Sequence, residues 1–165
     1  VEDGDRVLAR LRQGTAVDGL PPGEVLCHWA PEGTWLADLQ MVCAEYQGSP
    51  YATKLTCREH QLIADVTAEK GGLDAGLRPH DFLEASLASC LQITLRMYAQ
   101  KHGIEVGETS VTVELERSVS AARFQFTIVF DPCCDEGLQA HLRDVLLKCP
   151  VKTTLSQPIE FHLKS

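Results

Sequence analysis

The segment from Pro79 to Gly103 constrains the fold most, because it is the longest apolar stretch with helical spacing and carries Cys90 at its middle. Pro79 suits the first position of a helix, where its missing N–H costs nothing, and Asp81 suits the positive N-terminal end. Gly103 follows two basic residues as a typical helix stop. The sequence therefore predicts one long central helix.

The two faces of this predicted helix differ in polarity. At 100° per residue, one narrow stripe toward water is formed by Glu84, Ala88, Gln92 and Arg96. The other side holds Leu83, Leu87, Ile93, Thr94 and Met97. Cys90 lies nearly opposite the middle of the polar stripe, so we expect its thiol to point into the protein.

Length and charge exclude several classes of protein. A chain of 165 residues suffices for one compact domain with a core, and 44% hydrophobic residues are typical of a globular protein. Its net charge of -8 repels phosphate backbones, and its longest apolar run is too short to span a membrane. We therefore expect neither a nucleic acid nor a membrane as a partner.

The cysteine count indicates a reducing compartment. Seven cysteines are an odd number, and a chain of this size needs no disulfides for stability. We therefore expect a cytoplasmic protein in which most cysteines are small apolar residues and a few are redox-active, catalytic or metal-binding. Residues 1–34, rich in turn formers, are predicted to be an N-terminal extension, and residues 35–165 the main domain.

Alternating apolar residues predict strands at residues 35–45, 51–58, 61–66, 110–117, 123–130 and 158–163, and helical spacing predicts a second helix from Asp135 to Cys149. The order βββ-α-ββ-α-β contains no βαβ repeat. We therefore expect an α+β fold with a largely antiparallel sheet packed on two main helices. Inward positions are expected for Cys43 in the first strand and for Ile159, Phe161 and Leu163 in the last.

Cys90 and Cys149 are the most informative pair, because both fall on the apolar faces of the two predicted helices. Pro150 can start a further helical turn, which places Cys149 at or near an N-cap, where backbone N–H groups favour a thiolate. A cysteine oxidised to sulfenic acid and resolved by a second cysteine carries out a reversible reduction. From the pattern alone, simple packing of two buried cysteines remains the other interpretation.

Other reactive residues give weaker patterns. Cys57 and His60 have a spacing found in zinc sites, but no second pair completes four ligands, so we expect no metal. Cys133 and Cys134 lie in a predicted turn, where their thiols are open to oxidation. No serine lies on the strand-to-helix elbow that a hydrolase needs.

Two segments resemble a known family. GGLDAGLRPHDFLEASLASCLQITLRMYAQKHGI is similar to the central block of the OsmC/Ohr family, and LLKCPVKTTLSQPIEF is similar to its second block, over a resemblance that covers residues 35–163. The resemblance implies an intertwined homodimer with sites at the subunit interface. It also implies thiol-dependent reduction of organic hydroperoxides in oxidative-stress defence, with Cys90 as peroxidatic and Cys149 as resolving cysteine. No cofactor is implied beyond an external dithiol reductant or a lipoylated protein.

The chain departs from the family at two positions that activate the thiol. Peroxidases of the family resemble each other in a glutamate after the helix-initiating proline, where this chain has His80, and in a turn arginine that residues 47–51 lack. A buried Cys90 without a nearby cation would have a raised pKa. The candidates to supply the charge or contact the substrate are His80, Arg58, Lys54 and Arg78. The alternative function is a non-catalytic module that binds a small apolar ligand or senses redox state.

Overall fold

The computed structural model describes residues 41–163. The predicted extension over residues 1–34 and the first part of the first predicted strand lie outside this range. Along the described chain the elements are β1 Cys43–Tyr46, β2 Thr53–Cys57, β3 His60–Ala64, α1 Pro79–His102, β4 Ser110–Arg117, β5 Ala122–Val129, α2 Glu136–Leu146 and α3 Pro150–Leu155. No helix among them is both long and apolar enough to cross a membrane.

Two antiparallel sheets replace the single sheet expected from the sequence. The first has the order β1-β2-β3, and its last two strands join through a two-residue turn in which Cys57 and His60 are cross-strand partners. The second is the hairpin of β4 and β5, with Val113 opposite Phe126. Alternate residues of this hairpin pack against the core, as the period-two pattern predicts. The fold is α+β, with antiparallel sheets and packed helices.

The ends of α1 are where the sequence predicts them. Pro79 occupies the first turn, and the backbone N–H of Arg78 donates to Asp81 Oδ2 over 2.9 Å, which satisfies the N-terminal cap. At the other end Gly103 has a φ of 63°, and its N–H bonds to the carbonyls of Ala99 and Gln100. A left-handed conformation of this kind favours glycine, because it has no Cβ to clash.

The buried stripe of α1 differs from the predicted one. It consists of Leu87, Leu91, Leu95 and Ala99, which pack with Leu142 and Leu146 of α2. Leu83 and Ile93, predicted to be inward, are 43% and 55% exposed. The helix is turned this way because two residues of the predicted water-facing stripe bond to backbone elsewhere in the chain.

These two residues are Glu84 and Gln92. Glu84 Oε1 accepts the Leu115 N–H of β4 over 2.7 Å, and Gln92 Nε2 donates to the Thr109 carbonyl over 3.2 Å. The first bond satisfies a backbone donor of β4 that the hairpin leaves unpaired. Polar residues that the sequence assigns to water therefore fasten α1 to the second sheet.

The predicted last strand is not formed. Residues 158–163 belong to neither helix nor strand, and Ile159, Phe161 and Leu163, predicted to point inward, are 57%, 92% and 101% exposed. Cys43 of β1 is also exposed rather than inward. A strand exists only where a neighbouring backbone completes its hydrogen bonds, and in the described part of the chain residues 158–163 have no such neighbour.

Asp65 orders the glycine-rich segment between β3 and α1. Its buried carboxylate accepts the N–H groups of Val66, Leu73 and Ala75 over 2.8, 3.0 and 3.1 Å. These bonds, that of Ala75 first, hold the pKa of Asp65 below its ordinary value. The segment thereby delivers the chain to the start of α1 in a fixed position.

Candidate functional site

Cys90 lies at the middle of α1, next to the fully buried Leu91. Its side chain is half-buried and packs against the core cluster that contains Cys149. The thiol therefore faces protein on one side, as expected, but keeps part of its surface. Cys90 is therefore less buried than Leu87, Leu91 and Leu95 of the same helix.

Cys149 lies between α2 and α3 and is fully buried. Its N–H bonds to the Leu146 carbonyl over 3.0 Å, and its own carbonyl accepts the Thr153 N–H over 3.0 Å, so it is the N-cap residue of α3. Pro150 follows at the first helical position. The predicted N-cap placement is confirmed, and it brings Cys149 from a distant part of the sequence to the side of Cys90.

The electrostatics of Cys149 differ from the prediction. Burial, and after it the hydrogen bond with the neighbouring Cys90 thiol, raise the pKa of the Cys149 thiol to about 11. The backbone N–H groups of Lys152 and Val151 oppose the shift, as an N-cap should, but they are outweighed. The prediction of a stabilised thiolate at Cys149 is therefore wrong. The loss of hydration destabilises the thiolate by more than the two N–H groups stabilise it.

The four residues proposed from the sequence to supply a charge or contact the substrate lie on separate elements of the chain. Arg78 pairs with Asp81 over 2.6 Å at the start of α1, and His80 is ten residues from Cys90, which is ~15 Å along a helix axis. Lys54 lies in β2 and Arg58 in the turn after it. Within residues 41–163, none of the four forms a hydrogen bond or ion pair with Cys90.

His80 has a partner that the sequence did not reveal. Arg117 Nη1 lies 2.9 Å from His80 Nε2. Arginine only donates hydrogen bonds, so His80 Nε2 is the acceptor in this contact. The arginine beside His80 is therefore Arg117, at the end of β4.

A cavity of about 360 Å³ lies at this N-terminal end of α1. Its polar lining mixes positive groups with one carboxylate, and its residues are Val66, Lys70, Arg78, Pro79, His80, Glu84, Leu115 and Arg117. Lys70, Glu84 and Arg117 were missed by sequence reasoning, because they come from three separate parts of the chain. Only the strand pattern of residues 110–117 placed Arg117 at a strand end.

The metal-site spacing leads to no metal centre in the described chain. Cys57 and His60 are paired across a two-residue turn, and no group of three or more potential ligands occurs within residues 41–163. The six described cysteines, from Cys43 to Cys149, are all free thiols.

Comparison with known proteins identifies the family. The family model described as OsmC-like protein matches residues 70–164, which include α1, the hairpin and both helices around Cys149. The chain belongs to the OsmC-like protein family. The resemblance of the two cysteine-containing segments is thereby confirmed. No curated protein matches the sequence.

Solved structures of this family share the fold at low sequence identity. An osmotic stress induced and detoxification response protein, so named, from Psychrobacter arcticus is 24% identical, with a TM-score of 0.59, covering 68% of this chain and 85% of the other. An OsmC-like protein from Mycoplasma pneumoniae is 18% identical, with a TM-score of 0.58 and coverages of 73% and 89%. The organic hydroperoxide resistance protein OhrB of Bacillus subtilis is 20% identical, with a TM-score of 0.52 and coverages of 71% and 90%.

Proposed function

We propose that this OsmC-like protein is a thiol-dependent peroxidase that reduces organic hydroperoxides through Cys90 and Cys149, in oxidative-stress defence. The observation that carries the proposal is the juxtaposition of a half-buried Cys90 and a fully buried Cys149 in one core. One thiol is reachable from outside, and the other is reachable from the first. Several structural neighbours, OhrB of Bacillus subtilis among them, carry names of organic hydroperoxide resistance, which supports the same substrate class.

The reaction needs two bond exchanges. The thiolate of Cys90 attacks the outer oxygen of the hydroperoxide, the O–O bond breaks, and the alcohol leaves with a proton, so that Cys90 becomes a sulfenic acid. Cys149 then attacks the Cys90 sulfur, the S–O bond breaks, and water leaves with the thiol proton. The peroxide has taken two electrons from two thiols. An external dithiol, free or attached to a protein as lipoyl, reduces the resulting disulfide.

The difference in burial supports this order of steps. A fully buried Cys149 with a pKa near 11 stays protonated at neutral pH and does not compete for peroxide. Cys90 is the more exposed of the two and meets the oxidant first. Its sulfenic acid then presents the buried thiol with a target inside the core.

The test is hydroperoxide consumption by matched single variants. Cys90→Ser should reduce turnover of cumene hydroperoxide with dithiothreitol to the rate of dithiothreitol alone, because the attacking sulfur is lost. Cys43→Ser is the matched control, since Cys43 is an exposed thiol of β1 and should leave the rate unchanged. Equal rates for Cys90→Ser and the parent protein would refute the proposal.

A second candidate function rests on the cavity at the start of α1. The cavity is lined by Arg78, His80 and Arg117 and lies at the N-terminal end of α1, whereas Cys90 is at the middle of that helix. This lining suits a small ligand rather than the thiol chemistry. In this case the protein binds a ligand or senses redox state without turnover. Peroxide loss would then be no faster than with free cysteine, while a bound ligand would raise the Tm.

The proposal includes a cytoplasmic homodimer. The exposed side chains of Ile159, Phe161 and Leu163 support it, since a segment with three such residues on the surface is typical of an interface. Analytical ultracentrifugation should give twice the mass of one chain. Sedimentation as a monomer at micromolar concentration would contradict this part of the proposal.

A further inference from the structure

A second pair of thiols lies outside the Cys90 and Cys149 site. Asp131 to Cys134 form a tight turn after β5, closed by the Cys134 N–H bonding to the Asp131 carbonyl over 2.9 Å. The Sγ atoms of Cys133 and Cys134 are 3.9 Å apart. Cys133 is exposed and Cys134 is buried, so one thiol of the pair meets solvent and the other lies directly beneath it.

Both thiols of this turn point to one neighbouring segment. Cys133 Sγ lies 3.9 Å from the Glu105 carbonyl, and Cys134 Sγ lies 3.8 Å from the Val106 carbonyl. Neighbouring side chains normally diverge, and here the turn brings both to the same backbone. The dithiol is therefore arranged in advance.

The carboxylate of Asp131 holds the turn in place. Its carboxylate accepts the Cys133 N–H and the Glu108 N–H, each over 2.9 Å. Gly107 makes this possible, because a Cβ there would overlap the Asp131 side chain, and its φ of 50° also favours glycine. The two segments that hold the dithiol are thus tied together by one side chain.

The spacing of the two sulfurs suits a shared bridging atom. A disulfide bond is ~2.05 Å long, so 3.9 Å is too far for direct bonding without movement of the turn. A tetrahedral metal with bonds of ~2.3 Å holds two sulfurs roughly 3.8 Å apart, and a pyramidal central atom such as trivalent arsenic holds them somewhat closer. A linear two-coordinate ion would require a wider separation.

The number of donors decides the kind of ligand. Zinc takes four protein ligands in a closed site, and no third histidine, cysteine or carboxylate joins a metal-binding group in the part of the chain described. Asp131 uses both carboxylate oxygens on backbone N–H groups. A ligand that binds this pair must therefore already carry a third substituent on its central atom.

We propose that Cys133 and Cys134 form a dithiol site that chelates monosubstituted trivalent arsenicals. The exposed Cys133 thiol forms the first S–As bond and displaces one hydroxyl of the arsenical as water. The Cys134 thiol forms the second S–As bond and displaces the other hydroxyl as a second water. Arsenic stays trivalent, and no oxidant or reductant is needed.

The surroundings of Cys133 favour this chemistry over oxidation. Asp131 beside it, together with burial and the Cys134 thiol, raises the pKa of Cys133 to about 11. The thiolate that attacks peroxides is therefore scarce at neutral pH. The overall exchange of two thiol protons and two arsenic hydroxyls for two S–As bonds releases only water and consumes no oxidant.

Phenylarsine oxide is the probe, added to the full chain in a phosphine reductant. Cys90→Ser is the reference protein, because it removes the other pair of thiols that could chelate. Intact mass spectrometry should find one phenylarsenic group per chain that survives excess glutathione and is removed by a dithiol. Proteolytic mapping should place it on the peptide that contains Cys133 and Cys134.

Serine variants in the same background decide the outcome. Cys133→Ser and Cys134→Ser should each lower the glutathione-resistant adduct at least tenfold, whereas Cys43→Ser should leave it unchanged. Circular dichroism checks that each variant is folded, and the exposed position of Cys133 makes its variant the safer one. A glutathione-resistant adduct that persists in Cys133→Ser, or that is lost in Cys90→Ser alone, would overturn the proposal. A Cys133–Cys134 disulfide that survives the phosphine reductant would also overturn it.

Discussion

The chain holds two thiol pairs that differ in how they are built. Cys90 and Cys149 come from distant parts of the sequence and meet in the core, whereas Cys133 and Cys134 are neighbours in a turn. In each pair one thiol has a pKa raised to about 11, by burial first at Cys149 and by the Asp131 carboxylate first at Cys133. The comparison teaches that the same shift has two physical origins, which mutations can separate.

The largest expected effect is on the core that assembles the first pair. Leu91→Ala should lower the free energy of unfolding by about 3 kcal/mol, because it empties a fully buried site beside Cys90. Ile93→Ala, at a position 55% exposed on the same helix, should cost less than ~1 kcal/mol. Urea titrations measure both values, and similar costs would contradict the observed orientation of α1.

The next largest effect is the loss of stability when one thiol of each pair is replaced by a hydroxyl. Cys149→Ser places a hydroxyl in a fully buried position and should cost about 1–3 kcal/mol in urea titrations. Cys133→Ser changes an exposed side chain and should leave the Tm nearly unchanged. If Cys133→Ser were the more destabilising variant, the assignment of Cys149 to the core would fail.

Replacement of Asp131 should affect only the second pair. Asp131→Asn removes the carboxylate whose hydrogen bond, and to a lesser extent charge, raise the pKa of Cys133, so iodoacetamide at pH 8 should alkylate Cys133 about tenfold faster. The rate at Cys149 should not change, because burial is the main cause of its shift. Asp144→Asn, on the exposed surface of α2, is the matched control. Faster alkylation of both thiols would indicate that the turn or the core has opened.

The smallest effect is a dependence of stability on alkaline pH. The folded pKa of Cys149 is raised from 9.0 to about 11, so this thiol contributes stability that is complete below the unfolded pKa. That contribution is lost as pH rises through the folded value. The Tm of the parent should therefore fall more steeply between pH 9 and 11 than the Tm of Cys149→Ala. Parallel curves would show that Cys149 titrates normally.

Local features of the chain could be predicted from the sequence. Pro79 and Gly103 mark the ends of α1, and alternation marks β4 and β5, because these signals depend on a few neighbouring residues. The N-cap position of Cys149 follows in the same way from Pro150. The family itself was recognisable from the segments around the two cysteines, and the family model confirms it.

Features that depend on distant partners could not be predicted. Glu84 bonds to the backbone of β4, so the buried stripe of α1 is centred on Leu91 rather than on the side of Cys90. His80 meets Arg117 only after the hairpin folds. The sign of the pKa shift at Cys149 depends on how much water the core excludes, which no local pattern reports.

Disulfide mapping after one turnover tests the central claim most directly. The reduced protein receives one equivalent of cumene hydroperoxide without reductant, free thiols are then alkylated, and peptides are identified by mass spectrometry. The account predicts a linked peptide that joins Cys90 to Cys149, with Cys133 and Cys134 alkylated. Recovery of Cys90 and Cys149 as alkylated thiols, with the oxidation located at Cys133 and Cys134, would contradict it.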